Sequence, residues 1–252
     1  MLDGPKIAAV CITWDRPKLL GQMLRMFELQ TYPNRELVIL DNAGQYGHQQ
    51  GDRWRLWSER RSYTSLGAKR NDAARLISSD TEAIAVWDDD DTYLPWALEA
   101  CAFALTKGQY CQPRAVWDEW NVGEFILTET YNRRQPTKNF SYHAAWAWRV
   151  EAFWATGGYP TSHPGDYDTA VADRLYQLYG PSIDSLCPEY PVPYYIYARH
   201  GDNAARKLSG DDRARIAKMS VQPARAVLVP TWPETYTQFL APKPPAPRLW
   251  EG

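Results

Sequence analysis

No run of apolar residues in the chain approaches the ~20 needed to cross a bilayer. The opening MLDGPKIAAV lacks the basic-then-apolar layout of a secretory signal, so a cytoplasmic location is expected. Cysteine is scarce: Cys11, Cys101, Cys111 and Cys187 are far apart and form no C-x-x-C pair. That spacing argues against a zinc site or a disulfide framework and fits a reducing compartment. Net charge is also small, at −2, which gives no general attraction to nucleic acid or anionic lipid. No internal repeat is visible. What the sequence has in quantity is aromatic residues: 12 Trp and 16 Tyr, many beside polar neighbours, as in VWDEWN and YHAAWAWR. Such rings pack cores, and flat amphipathic rings also stack on sugars and bases. The length suits one large domain with a substantial core.

IAAVCIT at 7–13 has the continuous apolar character of a strand buried on both faces. Asp15 suits the N-cap of a following helix and Pro17 its first turn. Leu19, Leu20, Met23, Leu24, Met26 and Phe27 then recur at helical spacing as far as Gln30. ELVIL at 36–40 is a second buried strand, ending at Asp41. Strand, helix and strand in so few residues make a βαβ unit, hence parallel strands in an α/β sheet. A polar stretch follows at 44–65, with Arg53, Arg55, Arg60 and Arg61 and a short strand near Leu56. Next come a helix over 67–78, a buried strand at 83–87 and a helix over 95–105. Alternation between 112 and 147 predicts antiparallel strands. Helices at 151–155 and 166–179 and a strand at 191–199 complete the pattern. The expected organisation is one domain over 1–240, with a ligand-binding half at 1–110, a second half at 111–210 and a terminal segment at 211–240. Residues 241–252 are expected to form an extended proline-rich tail.

The third strand runs directly into WDDDDTYLP, four consecutive carboxylates in a nearly neutral chain. In open α/β sheets, ligands bind outside the carboxyl ends of the strands, where both Asp41 and Asp88 fall. Asp88 and Asp90 are spaced as D-x-D, which suits Mg²⁺ or Mn²⁺ bound through carboxylates together with substrate phosphates.

IAAVCITWDRPKLLGQMLRMFELQTYPNRELVILDN resembles the opening of family-2 nucleotide-sugar glycosyltransferases with the GT-A fold. Further resemblances follow in order. SLGAKRNDAARL is similar to their A-R-N segment, and AIAVWDDDDTYLP to L-D-x-D-D-x-x-x-P. AAWAWRVEAFWATGGYP and GDYDTAVADRL are similar to the distal G-G-[FY] and E-D-x-D-L block, and YYIYARHGDNAAR to the closing Y-R-x-H-G-x-N. Together they cover roughly residues 7 to 206. The implied fold is α/β: a mixed, mostly parallel Rossmann-like sheet flanked by helices, with a smaller antiparallel part on the acceptor side.

The resemblance implies a metal-dependent inverting enzyme that moves one sugar from a nucleoside-diphosphate sugar, expected to be a UDP-sugar, to an acceptor hydroxyl. Thr13, Asp41, Arg70, Asn71 and Asp88 match positions that face the nucleotide. Asp88 and Asp90 match the metal ligands for Mn²⁺ or Mg²⁺, joined by His200 from the closing segment. Asp166 matches the general base, although an Asp there also suits the N-cap of its helix. Asp168 is expected to be a first-turn acid favoured by the helix dipole. Asp91 is expected to cap the helix after the acidic run, and Asp89 has no assigned role. The expected acceptor is a carbohydrate or another hydroxyl-bearing molecule, with a hydroxylated nucleobase or a protein among the candidates. Two departures stand out: Asn42 replaces the second acid after strand two, and Gly165 replaces the first acid of the E-D pair. The alternatives are a GT-A-shaped nucleotide- or sugar-binding protein without turnover, and a sugar nucleotidyltransferase. The latter would need a glycine-rich loop, which ITWDRPK lacks.

Overall fold

Three strands with no polar break in their cores lie side by side because their continuous apolar runs need cover on both faces. They are β1 (Ile7–Thr13), whose seven residues are all buried, β2 (Arg35–Asp41) and β5 (Ala83–Val86). The structure is a computed structural model that describes residues 4–121, 124–129, 142–162, 167–190, 192–198 and 222–223. The other elements are α1 (Pro17–Glu28), β3 (Gln49–Gly51), β4 (Trp54–Ser58), α2 (Leu66–Arg75), β6 (Thr92–Tyr93), α3 (Ala97–Leu105) and β7 (Tyr110–Gln112). They continue with β8 (Ala115–Asn121), β9 (Glu124–Glu129), β10 (Ala147–Arg149), α4 (Val150–Ala155), α5 (Tyr167–Tyr179), β11 (Ile183–Asp184), β12 (Tyr195–Ala198) and β13 (Gln222–Pro223).

The main sheet has the order β11-β7-β10-β5-β1-β2-β4-β3. β1 pairs parallel with both β2 and β5, and β2 pairs parallel with β4. β10 is antiparallel to β5 and β7, which makes the sheet mixed. A smaller sheet, β13-β9-β8-β12-β6, is antiparallel except for the β12–β8 pair. The register sets Thr13 beside Asp41 at the ends of β1 and β2. The chain leaves β5 at the same edge, so Thr13, Asp41 and the acidic run share one end of the sheet.

Some expected boundaries move, for physical reasons. Asp15 does not cap α1: Arg16 holds the N-cap position without a side-chain capping bond, and Asp15 lies at φ +50°. That left-handed turn, which Asp tolerates, lets the Arg16 side chain reach the acidic run instead. Asp91 does not cap α3. The two-residue strand β6 intervenes, and the helix starts at Ala97 with Trp96 at the cap position, its side chain making no capping bond. A first-turn amide is served instead by buried Gln30, whose Oε1 accepts from Leu98 N at 3.1 Å. Helix α2 stops at Arg75, short of 78, and begins with a Ser65 Oγ cap accepting from Ala68 N at 3.1 Å.

The buried side of α2 is polar, carrying Lys69, Arg70 and Asn71 beside Ala73 and Ala74. It packs so closely on the turn after α4 that two glycines are needed there. A Cβ on Gly67 would lie 2.3 Å from Pro160 O. One on Gly158, at φ +72°, would lie 2.6 Å from Asn71 Oδ1. Among the described residues, no helix is long and apolar enough to cross a membrane.

Candidate active site

Each of the four acids after β5 has its own set of partners, with Arg16 shared between Asp89 and Asp90. Asp88 Oδ1 accepts from Arg70 Nη2 at 2.9 Å. Asp89, 4% exposed, accepts from the Thr13 hydroxyl at 2.5 Å and from Arg16 Nη1 at 3.1 Å. The same Arg16 nitrogen donates to Asp90 Oδ2 at 2.9 Å. Asp91, 5% exposed, accepts from the Tyr195 hydroxyl at 2.6 Å. Burial pushes the Asp89 carboxyl up, as do Asp90 and Asp88, while Thr13 and Arg16 pull it down; the balance lies above the ordinary value.

The turn is held by aromatic rings. Trp87 stacks on Tyr93 at 3.8 Å between centroids and 13° between planes, and Tyr93 lies 5.4 Å from Tyr195, its cross-strand partner. The Asp88 amide donates to Tyr93 Oη at 2.8 Å. One oxygen each of Asp88, Asp90 and Asp91 lies within 4.8 Å of the other two. Three convergent carboxylates are hard oxygen donors, the chemistry that Mg²⁺ and Mn²⁺ require, so this set fits a divalent cation.

The second wall of the crevice comes from β2 and α2. Asp41 is 0% exposed, and its carboxylate is engaged by the amides of Ala43 and Gly44 at 3.0 Å each and by Ser58 Oγ at 2.7 Å. It therefore shapes the 43–45 loop at the crevice mouth. Lys69, 6% exposed, donates to Thr13 O at 2.6 Å and to Asn42 Oδ1 at 2.5 Å. Burial lowers this ammonium to about 8. Asn42, the residue standing where an acid was expected, thus serves as acceptor for a buried lysine. Asn71 turns away from the crevice: its Nδ2 donates to Tyr159 O at 2.8 Å and its Oδ1 accepts from Tyr159 N at 2.9 Å.

Behind Arg70 lies a buried polar group on the α5 side. His143 Nε2 is 3.0 Å from Tyr159 Oη, and its Nδ1 is 3.5 Å from Asp168 Oδ1. Burial, with the nearby Arg70 charge, holds His143 well below its ordinary value and therefore neutral. Asp168 sits in the first turn of α5, as expected. Asp166 and His200 lie outside the described residues.

The sequence reading had not singled out Asp89, Lys69, Tyr93, Tyr195 or Trp14 as parts of this site. Lys69 carried a signal, since it stands at the alanine position of the A-R-N pattern. Trp14 follows Thr13 at the crevice and is 62% exposed, unusual for so large a ring. A groove of about 430 Å³ beside Thr81, Val150 and Trp154 lies at the opposite end of the strands, and no acid lines it.

A mixed α/β sheet with acids gathered at its strand ends and a smaller antiparallel sheet beside it is the architecture of GT-A proteins. No protein-family model and no curated protein matches the chain. Solved structures do. The chain is similar to S. aureus TarS 1-349 at TM-score 0.59 and 14% identity, over 77% of this chain and 60% of that one. In the complex of the same protein with UDP-GlcNAc the values are TM-score 0.61 and 14% identity, over 87% and 69%. It is also similar to the mannosyltransferase PcManGT from Pyrobaculum calidifontis with GDP-Man and Mn²⁺, at TM-score 0.51 and 16% identity, over 80% and 59%. These likenesses establish the GT-A fold. The chain spans about three fifths of the first TarS structure.

Proposed function

We propose that the chain is a glycosyltransferase that moves one sugar from a nucleoside-diphosphate sugar, a UDP-sugar first among donors, to an acceptor hydroxyl with inversion. The observation that carries this reading is the convergence of Asp88, Asp90 and Asp91 at the strand ends of a GT-A fold. Support comes from structural neighbours that hold UDP-GlcNAc or GDP-Man with Mn²⁺.

Asp88 and Asp90 would hold Mn²⁺ or Mg²⁺, with His200 as a further ligand. Bound there, the cation would supply charge stabilisation for the departing nucleoside diphosphate. Thr13, Asp41, Arg70 and Asn71 build the donor side. Thr13 does so through its bond to Asp89, Asp41 through its loop, Arg70 through Asp88, and Asn71 by anchoring the 158–160 turn against α2. Asp166 is the proposed base: it takes the acceptor hydroxyl proton as that oxygen attacks the anomeric carbon and the diphosphate leaves from the opposite face. Acceptors of this chemistry are carbohydrates and other hydroxyl-bearing molecules.

The test is a melting-temperature screen of UDP-, GDP-, TDP- and CMP-sugars with and without Mn²⁺, followed by a product assay with D90N and D166N variants. A donor that binds the folded state raises the melting temperature. The expected outcome is a Mn²⁺-dependent shift with one donor and loss of transfer in both variants. A metal-dependent shift without product in any acceptor mixture would favour a binding protein. No shift with any nucleotide would refute the reading.

A further inference from the structure

The acidic run was expected to supply two cation ligands from itself, Asp88 and Asp90. The geometry points to a third, Asp91, and to a residue that aims it: we propose that Tyr195 is the positioning residue of the cation site. Its hydroxyl orients the Asp91 carboxylate toward Asp88 and Asp90. This inference rests on the reading of the acidic turn as a divalent-cation site.

Four observations carry it. Asp91 is buried, whereas Asp88 and Asp90 are half-buried, yet an Asp91 oxygen still lies within 4.8 Å of theirs. Its expected use as a helix cap is taken away by β6, so that helix makes no demand on its orientation. Its Oδ2 accepts from Tyr195 Oη at 2.6 Å, a short charge-assisted bond between two nearly fully buried groups. Finally, Tyr195 is held from behind. It pairs across the strands with Tyr93, whose ring lies 5.4 Å away and whose own hydroxyl oxygen accepts the Asp88 amide at 2.8 Å. One cross-strand tyrosine pair thus grips the acidic turn at both ends, by backbone at Asp88 and by side chain at Asp91. Hydrogen-bond partners behind a metal ligand fix its orientation and commonly govern affinity by about 10–100-fold. Tyr195 has the geometry of such a partner.

The test is Mn²⁺ titration of the full chain without nucleotide, read by the electron-paramagnetic-resonance signal of free Mn²⁺, for wild type, Y195F, D91N and the double variant. Y195F removes one oxygen and keeps the ring against Tyr93; its circular dichroism and metal-free melting report folding separately. The expected results are roughly tenfold weaker Mn²⁺ binding in Y195F, a larger loss in D91N, and a double variant no weaker than D91N alone, because Tyr195 acts through Asp91. Unchanged affinity in folded Y195F would overturn the proposal while leaving the cation site standing. An additive double variant would likewise overturn it, and so would full affinity in D91N, which stands in should Y195F not fold. A wild-type chain that takes no Mn²⁺ would sink the cation-site reading itself, and this inference with it.

Discussion

Replacing Asn71 with alanine separates a structural role from a ligand-binding one. The Asn71 amide makes two bonds to the Tyr159 backbone, at 2.8 and 2.9 Å, and both residues are buried. Truncation leaves the buried Tyr159 amide and carbonyl without these partners. Each unsatisfied buried group costs about 1–3 kcal/mol, and a small water entering the gap would recover part of it, so the expected loss is about 2–4 kcal/mol. At roughly 2–4 °C per kcal/mol for a chain of this size, N71A should melt about 4–16 °C below wild type in the absence of any ligand. Differential scanning calorimetry or urea unfolding measures it. A metal-free melting temperature within about 2 °C of wild type, combined with a raised donor KM, would refute the reasoning. It would place Asn71 on the nucleotide rather than on the turn.

Gly158→Ala should cost about 1–2 kcal/mol for the left-handed backbone alone. It should cost less in an N71A background, because the atom it strikes is gone; a thermodynamic cycle of the two variants reads this coupling. Trp14→Ala should leave the melting temperature nearly unchanged, because the ring is largely exposed. It should weaken donor binding by the ~1–3 kcal/mol typical of a base stacked on an aromatic ring, read by calorimetry with the cognate nucleotide. Equal affinity would remove Trp14 from the site. Lys69 titrates near 8 in the folded chain because burial disfavours its charge, against an ordinary value of 10.5. Between these values the unfolded chain binds more protons, so this residue makes stability rise with pH from about 8 to 10.5. The stability difference between wild type and K69M should therefore shift toward wild type across that window. A difference that stays flat with pH would refute it.

The strands were legible because a buried parallel strand is a continuous apolar run, a local signal. IAAVCIT marked β1 at its observed ends, and ELVIL fell inside β2. Helix ends were less legible because capping depends on partners elsewhere. Asp15 and Asp91 are both good cap residues by type, yet Arg16 is drawn to Asp89 and Asp90, and Asp91 to Tyr195. The α2 face showed the same limit. Ala73 and Ala74 are apolar by type, but nothing local in the sequence tells that Lys69, Arg70 and Asn71 are buried beside them, each with a partner from another element.

By itself, the sequence determined the order of the longer strands and helices, the placing of acids at strand ends and the resemblance that implied the fold. Each depends on residue type and short spacing. Only the tertiary structure divided the labour among four adjacent aspartates. Consecutive side chains in a tight turn point in different directions, and their partners, Thr13, Arg16, Arg70 and Tyr195, are 18 to 104 residues away along the chain. The direction in which a carboxylate points depends on those distant donors, and no local pattern in WDDDDTYLP encodes them.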